Sequence, residues 1–260
     1  MKLEVKALEP IGVEISGFDI GAHLDNELTE QLQQLWDEHG LLLFRGQDID
    51  PERQIRLSRV FGPLEMHPLK ATTSDEYPEL FELATEPGKG DHMAASYHGR
   101  KLVGRLDWHM DLHYTGKPNR GALLRAVIVP ETDGMTGFCD LALAYDELDE
   151  ETRALLNDIE VAYCFSAQRK HMRYVDLEGY EPGPNSPRVP ADFNSPNFPD
   201  VAYPAVVDHP VTGRRVLEIT EQFLDRIVAP HRAGLCNDEA IELLERDRKS
   251  TRLNSSHQII

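Results

Sequence analysis

The sequence predicts a single, mainly β domain, a barrel or sandwich with helices at its flanks, and three observations predict it. Short apolar runs with period-two alternation recur along the chain, helix-period segments are few and short, and the stretches between them are rich in Pro, Gly and Asn. A chain of 260 residues can bury one substantial core, and barrels and sandwiches use that length as one domain.

The elements follow in order. Val5, Ile11, Val13 and Ile15 alternate with polar residues as on a half-buried strand. From Asp25 the period becomes helical through Leu28, Leu32 and Leu35, and Gly40 supplies the stop. LLLFRG is a short buried strand. Asp50-Pro51 is an N-cap followed by proline at the first helical position, Ile55, Leu57, Val60 and Phe61 give that helix its apolar side, and Gly62-Pro63 ends it. Residues 65–107 form an ordered loop around a sheet, with short strand candidates such as LFELA. LDWHMDLHY and GALLRAVIV are two strands separated by a turn region containing Gly116, Pro118 and Asn119. Residues 144–160 carry Leu148, Leu155, Leu156 and Ile159 at helical spacing, with a break around Asp149. The Pro- and Asn-rich stretch 178–204 is a long lid or crossing loop. AVVDHPVTGRRVLEI is a hairpin turning at Pro-Val-Thr-Gly, and residues 238–245 form a last helix. There is no internal repeat.

The formal net charge of -18, from 45 acidic against 27 basic residues, disfavours broad contact with nucleic acid or an anionic membrane and favours a small-molecule partner. Cys139, Cys164 and Cys236 are too few and scattered for a disulfide framework or a zinc knuckle, which fits a reducing cytoplasm. The first residues lack an apolar signal core and no aliphatic run can span a bilayer, so the expectation is a soluble, cytoplasmic protein, with a homo-oligomer left open.

The chemically informative run is Trp108-His109-Met110-Asp111. Alternate residues on a strand share one face about 6.6 Å apart, so an imidazole and a carboxylate placed so can close on one metal. With a second histidine from elsewhere they would form the facial triad of non-haem Fe(II). His-x-Asp alone is weak evidence, since His23-Leu24-Asp25 repeats it in what reads as a helix-capping turn. A zinc hydrolase using His113 as a further ligand is the enzymatic rival. Residues four apart on a strand are about 13 Å apart, however, which places His113 at a pocket rim or packed beside the barrel. A non-catalytic small-molecule binding protein is the rival outside enzymes.

WHMD, then PETDGMT, then AYDEL, together with ISGFDI, LLLFRGQDI, FGPLEMHP and HPVTGRRVLEI, resemble the TauD/TfdA family of Fe(II)- and 2-oxoglutarate-dependent dioxygenases over nearly the whole chain. The resemblance implies a double-stranded β-helix, or jelly roll, and a reaction that couples decarboxylation of 2-oxoglutarate to succinate and CO2 with hydroxylation of a small substrate. It makes His109 and Asp111 the first two iron ligands and Thr136 a hydrogen-bonding partner of a 2-oxoglutarate carboxylate, with Gly134-Met135 where the family usually has Gly-Gly. It places His67 at a substrate-contacting position. Lys70 and Arg105 replace uncharged contacts, and Arg169 falls near another. Three cations around one cavity of an acidic protein would draw an anionic substrate, a carboxylate or sulfonate, and the changes argue against taurine itself.

The family's third ligand, a late histidine, and its keto-acid-binding arginine have no counterpart here. The sequence therefore carries the expectation of a domain over 1–246, truncated at its C-terminus. Residues 247–260 resemble a translated sequencing adapter, a non-biological tail. On that expectation the chain is inactive, with unpaired strand edges that invite aggregation.

Overall fold

Alternation in the first residues becomes a small sheet. In this computed structural model, which describes residues 3–17, 19–21, 24–68, 73–81, 83, 94–103, 106–131, 134–166, 171–181 and 198–254, β1 (Glu4–Ala7) pairs antiparallel with β2 (Val13–Ser16), which pairs parallel with β3 (Leu42–Phe44). The parallel pair needs a crossover, and α1 (Asn26–His39) provides it. Asp25 accepts a hydrogen bond from the Leu28 N–H at 2.8 Å, and Gly40, at φ 69°, ends the helix in the left-handed conformation that glycine adopts most easily. Asp50 caps α2 (Pro51–Ser58) in the same way, accepting from the Arg53 N–H at 2.7 Å, and a 3-10 turn carries the chain on to Gly62. Leu28, Leu32, Leu57 and Val60 close on Val13 and Ile15 as one apolar core.

The stretch read as loop contains a hairpin. β4 (Ala94–Tyr97) and β5 (Arg100–Val103) join through His98-Gly99, both at positive φ (47° and 77°), the geometry a two-residue hairpin turn requires. The helix expected over 144–160 forms as two, α3 (Leu141–Asp146) and α4 (Glu150–Leu156), and the break at Asp149 is a cap: its carboxylate accepts from the Thr152 N–H at 2.7 Å.

The second core gathers around β6 (Glu160–Tyr163). β7 (Tyr180–Glu181) pairs with β4, whereas β8 (Val201–Pro204) lies beside β6. β9 (Val206–Asp208) and β10 (Arg215–Leu217) form the hairpin expected around Pro-Val-Thr-Gly, and β11 (Leu224–Val228) completes the order β11-β6-β8. α5 (Asn237–Asn254) runs unbroken past residue 246 and lays Ala240, Leu243 and Leu244 on this core, against Leu156, Val161, Tyr163, Leu217 and Leu224. The lid expected over 178–204 lies largely outside the described residues, but its two ends are the strands β7 and β8. Among the described residues the sheet structure is four small sheets with helices contributing comparably, not one continuous rolled sheet.

LDWHMDLHY and GALLRAVIV are not strands. The first runs irregularly to a turn at 111–114 that sends two side chains inward. Tyr114 is buried among Phe165, Phe198 and Phe223, with ring centroids 4.7 to 5.0 Å apart. His113, 3% exposed, stands between Tyr163 and Tyr203 at 4.6 and 4.3 Å. Its Nε2 is 3.3 Å from Glu218 Oε2 but off-line for a hydrogen bond. GALLRAVIV has strand composition, yet no described segment pairs with it, and Leu124, Val127, Ile128 and Val129 face solvent at 57 to 88% exposure. Composition without a partner for the backbone does not make a strand.

Two outcomes follow from this packing. Ile128→Ser removes no packed contact, so its urea midpoint should correspond to wild type within about 0.5 kcal/mol, with less aggregation by light scattering. A loss of several kcal/mol would show that the segment is packed in solution. Burial pushes the His113 pKa down to about 4 and that of Glu218 up. The unfolded chain takes up a proton on His113 below about 6.5 while the folded chain resists it. Stability from this group is therefore full above pH 6.5 and falls, by up to about 3 kcal/mol, as pH drops to 4. His113→Phe keeps the ring and removes the titration. The gap between wild-type and variant unfolding free energies should widen in the wild type's disfavour across that window, and a pH-independent gap would refute a neutral buried His113.

Candidate functional site

The segment before the turn is held at one residue. The Trp108 carbonyl accepts from the backbone N–H groups of Glu221 and Gln222, both at 3.0 Å, and the Trp108 N–H donates to Glu221 Oε2 at 3.3 Å. Its indole lies so close to Gly137 that a Cβ there would meet the ring at 2.5 Å, which explains the glycine. Beyond it, Leu112 adopts a left-handed φ of 59° as the chain turns, and the Asp111 carbonyl accepts from the Asn119 N–H. With His113 and Tyr114 committed to the interior, His109 and Asp111 are left facing outward on the same side.

The two side chains converge. His109 Nε2 is 3.4 Å from Asp111 Oδ1, and their side chains are 31% and 58% exposed. His109 Nδ1 is 2.7 Å from the Asp107 carbonyl, which can only accept, so Nδ1 carries the proton and donates. In the neutral ring that leaves the Nε2 lone pair aimed at the Asp111 carboxylate, the tautomer a metal-binding imidazole needs. Burial works to lower the His109 pKa but is outweighed by the Asp111 hydrogen bond and the Asp107 carbonyl, so it is raised. The same hydrogen bond, helped by the charges of His109 and His67, holds Asp111 below the usual carboxylate range.

A neutral imidazole nitrogen and a carboxylate oxygen at this separation suit a divalent transition metal, supplying two donors of mixed N and O type. Among the described residues no group of three or more His, Cys, Asp or Glu side chains is placed to hold a metal. The zinc-hydrolase arrangement does not assemble, because His113 turns away from the pair toward Glu218.

Of the other sequence-predicted residues, His67 is half-buried, its ring tilted against Phe81 with centroids 4.9 Å apart, and near enough for its charge to act on Asp111. Thr136 is exposed, and its neighbour Gly137 packs on the Trp108 indole, which brings the Thr136 loop beside the His109 segment. Lys70, Arg105 and Arg169 lie outside the described residues. Sequence reasoning missed Glu221, Gln222 and Gly137. An acid within ITEQF between two apolar strands was the available signal, since a buried Glu needs a donor.

Comparison with known proteins bears on this geometry. A family model described as "Taurine catabolism dioxygenase TauD, TfdA family" matches residues 4–248. The chain is 31% identical over 210 residues to an (S)-phenoxypropionate/alpha-ketoglutarate-dioxygenase of Sphingobium herbicidovorans, covering 80% of this chain and 65% of that protein. It is 27% identical over 226 residues to an alpha-ketoglutarate-dependent 2,4-dichlorophenoxyacetate dioxygenase of Cupriavidus pinatubonensis, covering 84% and 74%. The chain thus spans about two thirds to three quarters of the length of these relatives. Among solved structures, a taurine dioxygenase from Burkholderia xenovorans superposes with a TM-score of 0.68 at 24% identity over 96% of this chain and 72% of that one. AAD-2 in complex with Mn(II) and N-oxalylglycine gives 0.66 at 21% identity over 96% and 80%. These superpositions show that the fold is the jelly-roll fold of TauD-type dioxygenases, and with the family match over residues 4–248 the chain belongs to the TauD/TfdA family.

Proposed function

We propose that this chain serves a 2-oxoglutarate-dependent oxygenation of a small organic anion, with His109 Nε2 and Asp111 as protein ligands of Fe(II). The observation that carries the reading is the 3.4 Å approach of Nε2 to the Asp111 carboxylate, with Nδ1 tied to the Asp107 carbonyl. In the reaction, one oxygen atom of O2 enters succinate as 2-oxoglutarate loses CO2, and the other enters a substrate C–H bond as hydroxyl. Bound iron supplies the redox chemistry. The chain's own residues fix its face through His109 and Asp111, present the Thr136 hydroxyl to a keto-acid carboxylate, and offer His67, Lys70, Arg105 and Arg169 to the substrate. Two protein donors by themselves hold a divalent ion weakly, so the affinity of the His109–Asp111 pair is sensitive to how well its side chains are held.

An anionic substrate fits both the proposed cations and the relatives, whose names give phenoxypropionate and dichlorophenoxyacetate, each a carboxylate beside an aryl ether. Nothing in the net charge of -18 suits nucleic acid, and no helix among the described residues is long and apolar enough to cross a membrane. A cytoplasmic location is part of this proposal.

Manganese binding tests the ligand pair without turnover. Titration of the folded chain with millimolar Mn(II), followed by electron paramagnetic resonance, should show a bound signal that His109→Ala and Asp111→Ala each weaken by at least about tenfold. Equal binding by wild type and both variants, or none by folded wild type, overturns the assignment. Substrate charge is tested by calorimetry with a phenoxyacetate and its neutral amide. The acid should bind more tightly, and Lys70→Ala should weaken it by roughly 10- to 100-fold, the ~1.5–3 kcal/mol of one charge-assisted hydrogen bond. Indifference to both changes would remove Lys70 and the anionic-substrate reading.

A further inference from the structure

A glutamate 1% exposed, set between β10 and β11, is an unusual use of a charged side chain, because burying it costs solvation that only good partners offset. At Glu221 one partner is the backbone next to the candidate metal ligands. Its Oε2 accepts from the Trp108 N–H at 3.3 Å, while its own N–H and that of Gln222 donate to the Trp108 carbonyl at 3.0 Å each. Trp108 is gripped at both ends of its backbone by one dipeptide more than a hundred positions away, and its indole is closed from another side by Gly137. The next residue is His109.

We propose that Glu221 is a positioning residue: through Trp108 it fixes where the His109 imidazole points and so sets the affinity of the His109–Asp111 pair for a divalent metal. This rests on the metal-binding reading above. The role is indirect, since Glu221 reaches the pair only through the main chain. Without the carboxylate the Trp108 carbonyl keeps its two main-chain donors, but the Trp108 N–H, on the side that faces Asp107, loses its acceptor and the segment from Asp107 to His109 is held at one end only. The Nδ1 contact to the Asp107 carbonyl, which selects the metal-binding tautomer, then has no fixed frame. Gly137 belongs to the same device, because a side chain there would drive the indole out of its seat.

The chain has two tryptophans, Trp36 and Trp108, so a Trp36→Phe background makes Trp108 the sole emitter. In the metal-free full-length chain, checked as folded by circular dichroism, Trp108 should be shielded from acrylamide. Glu221→Ala should raise its quenching and shift its emission to the red. Glu221→Gln, which keeps an oxygen acceptor, should restore both. Mn(II) affinity by paramagnetic resonance should fall roughly 10- to 100-fold in Glu221→Ala, with Glu221→Gln close to wild type. Gly137→Ala should move emission and affinity in the same direction, and serves if Glu221→Ala does not fold. Unchanged affinity with altered emission would make Glu221 a structural acid only and overturns the proposal, as does failure of Glu221→Gln to rescue. A wild-type chain that binds no Mn(II) overturns the metal reading instead, and the metal-free emission still decides separately whether Glu221 holds Trp108.

Discussion

Two residues close in sequence, His109 and Asp111, converge here because the backbone on either side of them is fixed by distant parts of the chain. Upstream, Trp108 is hydrogen bonded to Glu221 and Gln222. Downstream, His113 and Tyr114 are committed to the second core, His113 between Tyr163 and Tyr203 and Tyr114 among three phenylalanines. Between these anchors only a few residues remain, and two of them, His109 and Asp111, have nowhere to go but outward. Hydrogen bonds of this kind contribute about 1 kcal/mol each to stability, but their effect on direction is larger than their effect on energy.

The electrostatics follow from that placement. The Asp107 carbonyl at Nδ1 decides which nitrogen carries the proton, and the Asp111 carboxylate at Nε2 raises the imidazole's proton affinity while its own falls. The pair is thus arranged to share one positive charge, and on the proposed metal-binding reading a proton and a divalent ion would compete for the same place. His113, only two positions further along, meets the opposite environment and is driven neutral, which is why three adjacent titratable residues do not behave as one cluster.

Much of this was legible in the residues. Asp25, Gly40 and Asp50-Pro51 act locally, within one helical turn, so their caps could be read directly, the break at Asp149 was visible though its capping role was not, and the 209–214 turn carried its own Pro and Gly. What could not be read depends on partners far away in sequence. β6 and β11 pair across some sixty residues, and the strand character of GALLRAVIV fails for want of a partner among the described residues. The His98-Gly99 turn was missed because histidine rarely takes positive φ, and only the flanking strands make it do so. The convergence of His109 and Asp111 was expected from strand alternation and is found instead on irregular chain that leads into a turn. Glu221 offered one signal, an acid between two apolar strands, but the group it accepts from is a backbone N–H over a hundred positions away, so no side-chain pattern names its partner.

That difference in backbone matters for how the site is held. On a strand, spacing would be set by pleat and sheet, and the pair would stand about 6.6 Å apart at its bases with neighbours on both sides to stiffen it. Here the 3.4 Å approach is made on irregular chain that leads into the turn, and just beyond it a left-handed Leu112, at a cost on the order of 1 kcal/mol or more, swings the following residues inward. A second left-handed residue, Phe223 at φ 66°, sits directly after Gln222. The rings of Tyr114 and Phe223 meet at 4.9 Å, so the two strained turns are packed against each other, and a ring contact of this kind returns about 0.5–1.5 kcal/mol beyond its buried area. Each turn therefore gains part of its stability from contact with the other. The same two turns carry Asp111 and the Glu221 that grips Trp108, so the geometry of the pair is tied to the closing of the β10–β11 connection rather than to any sheet.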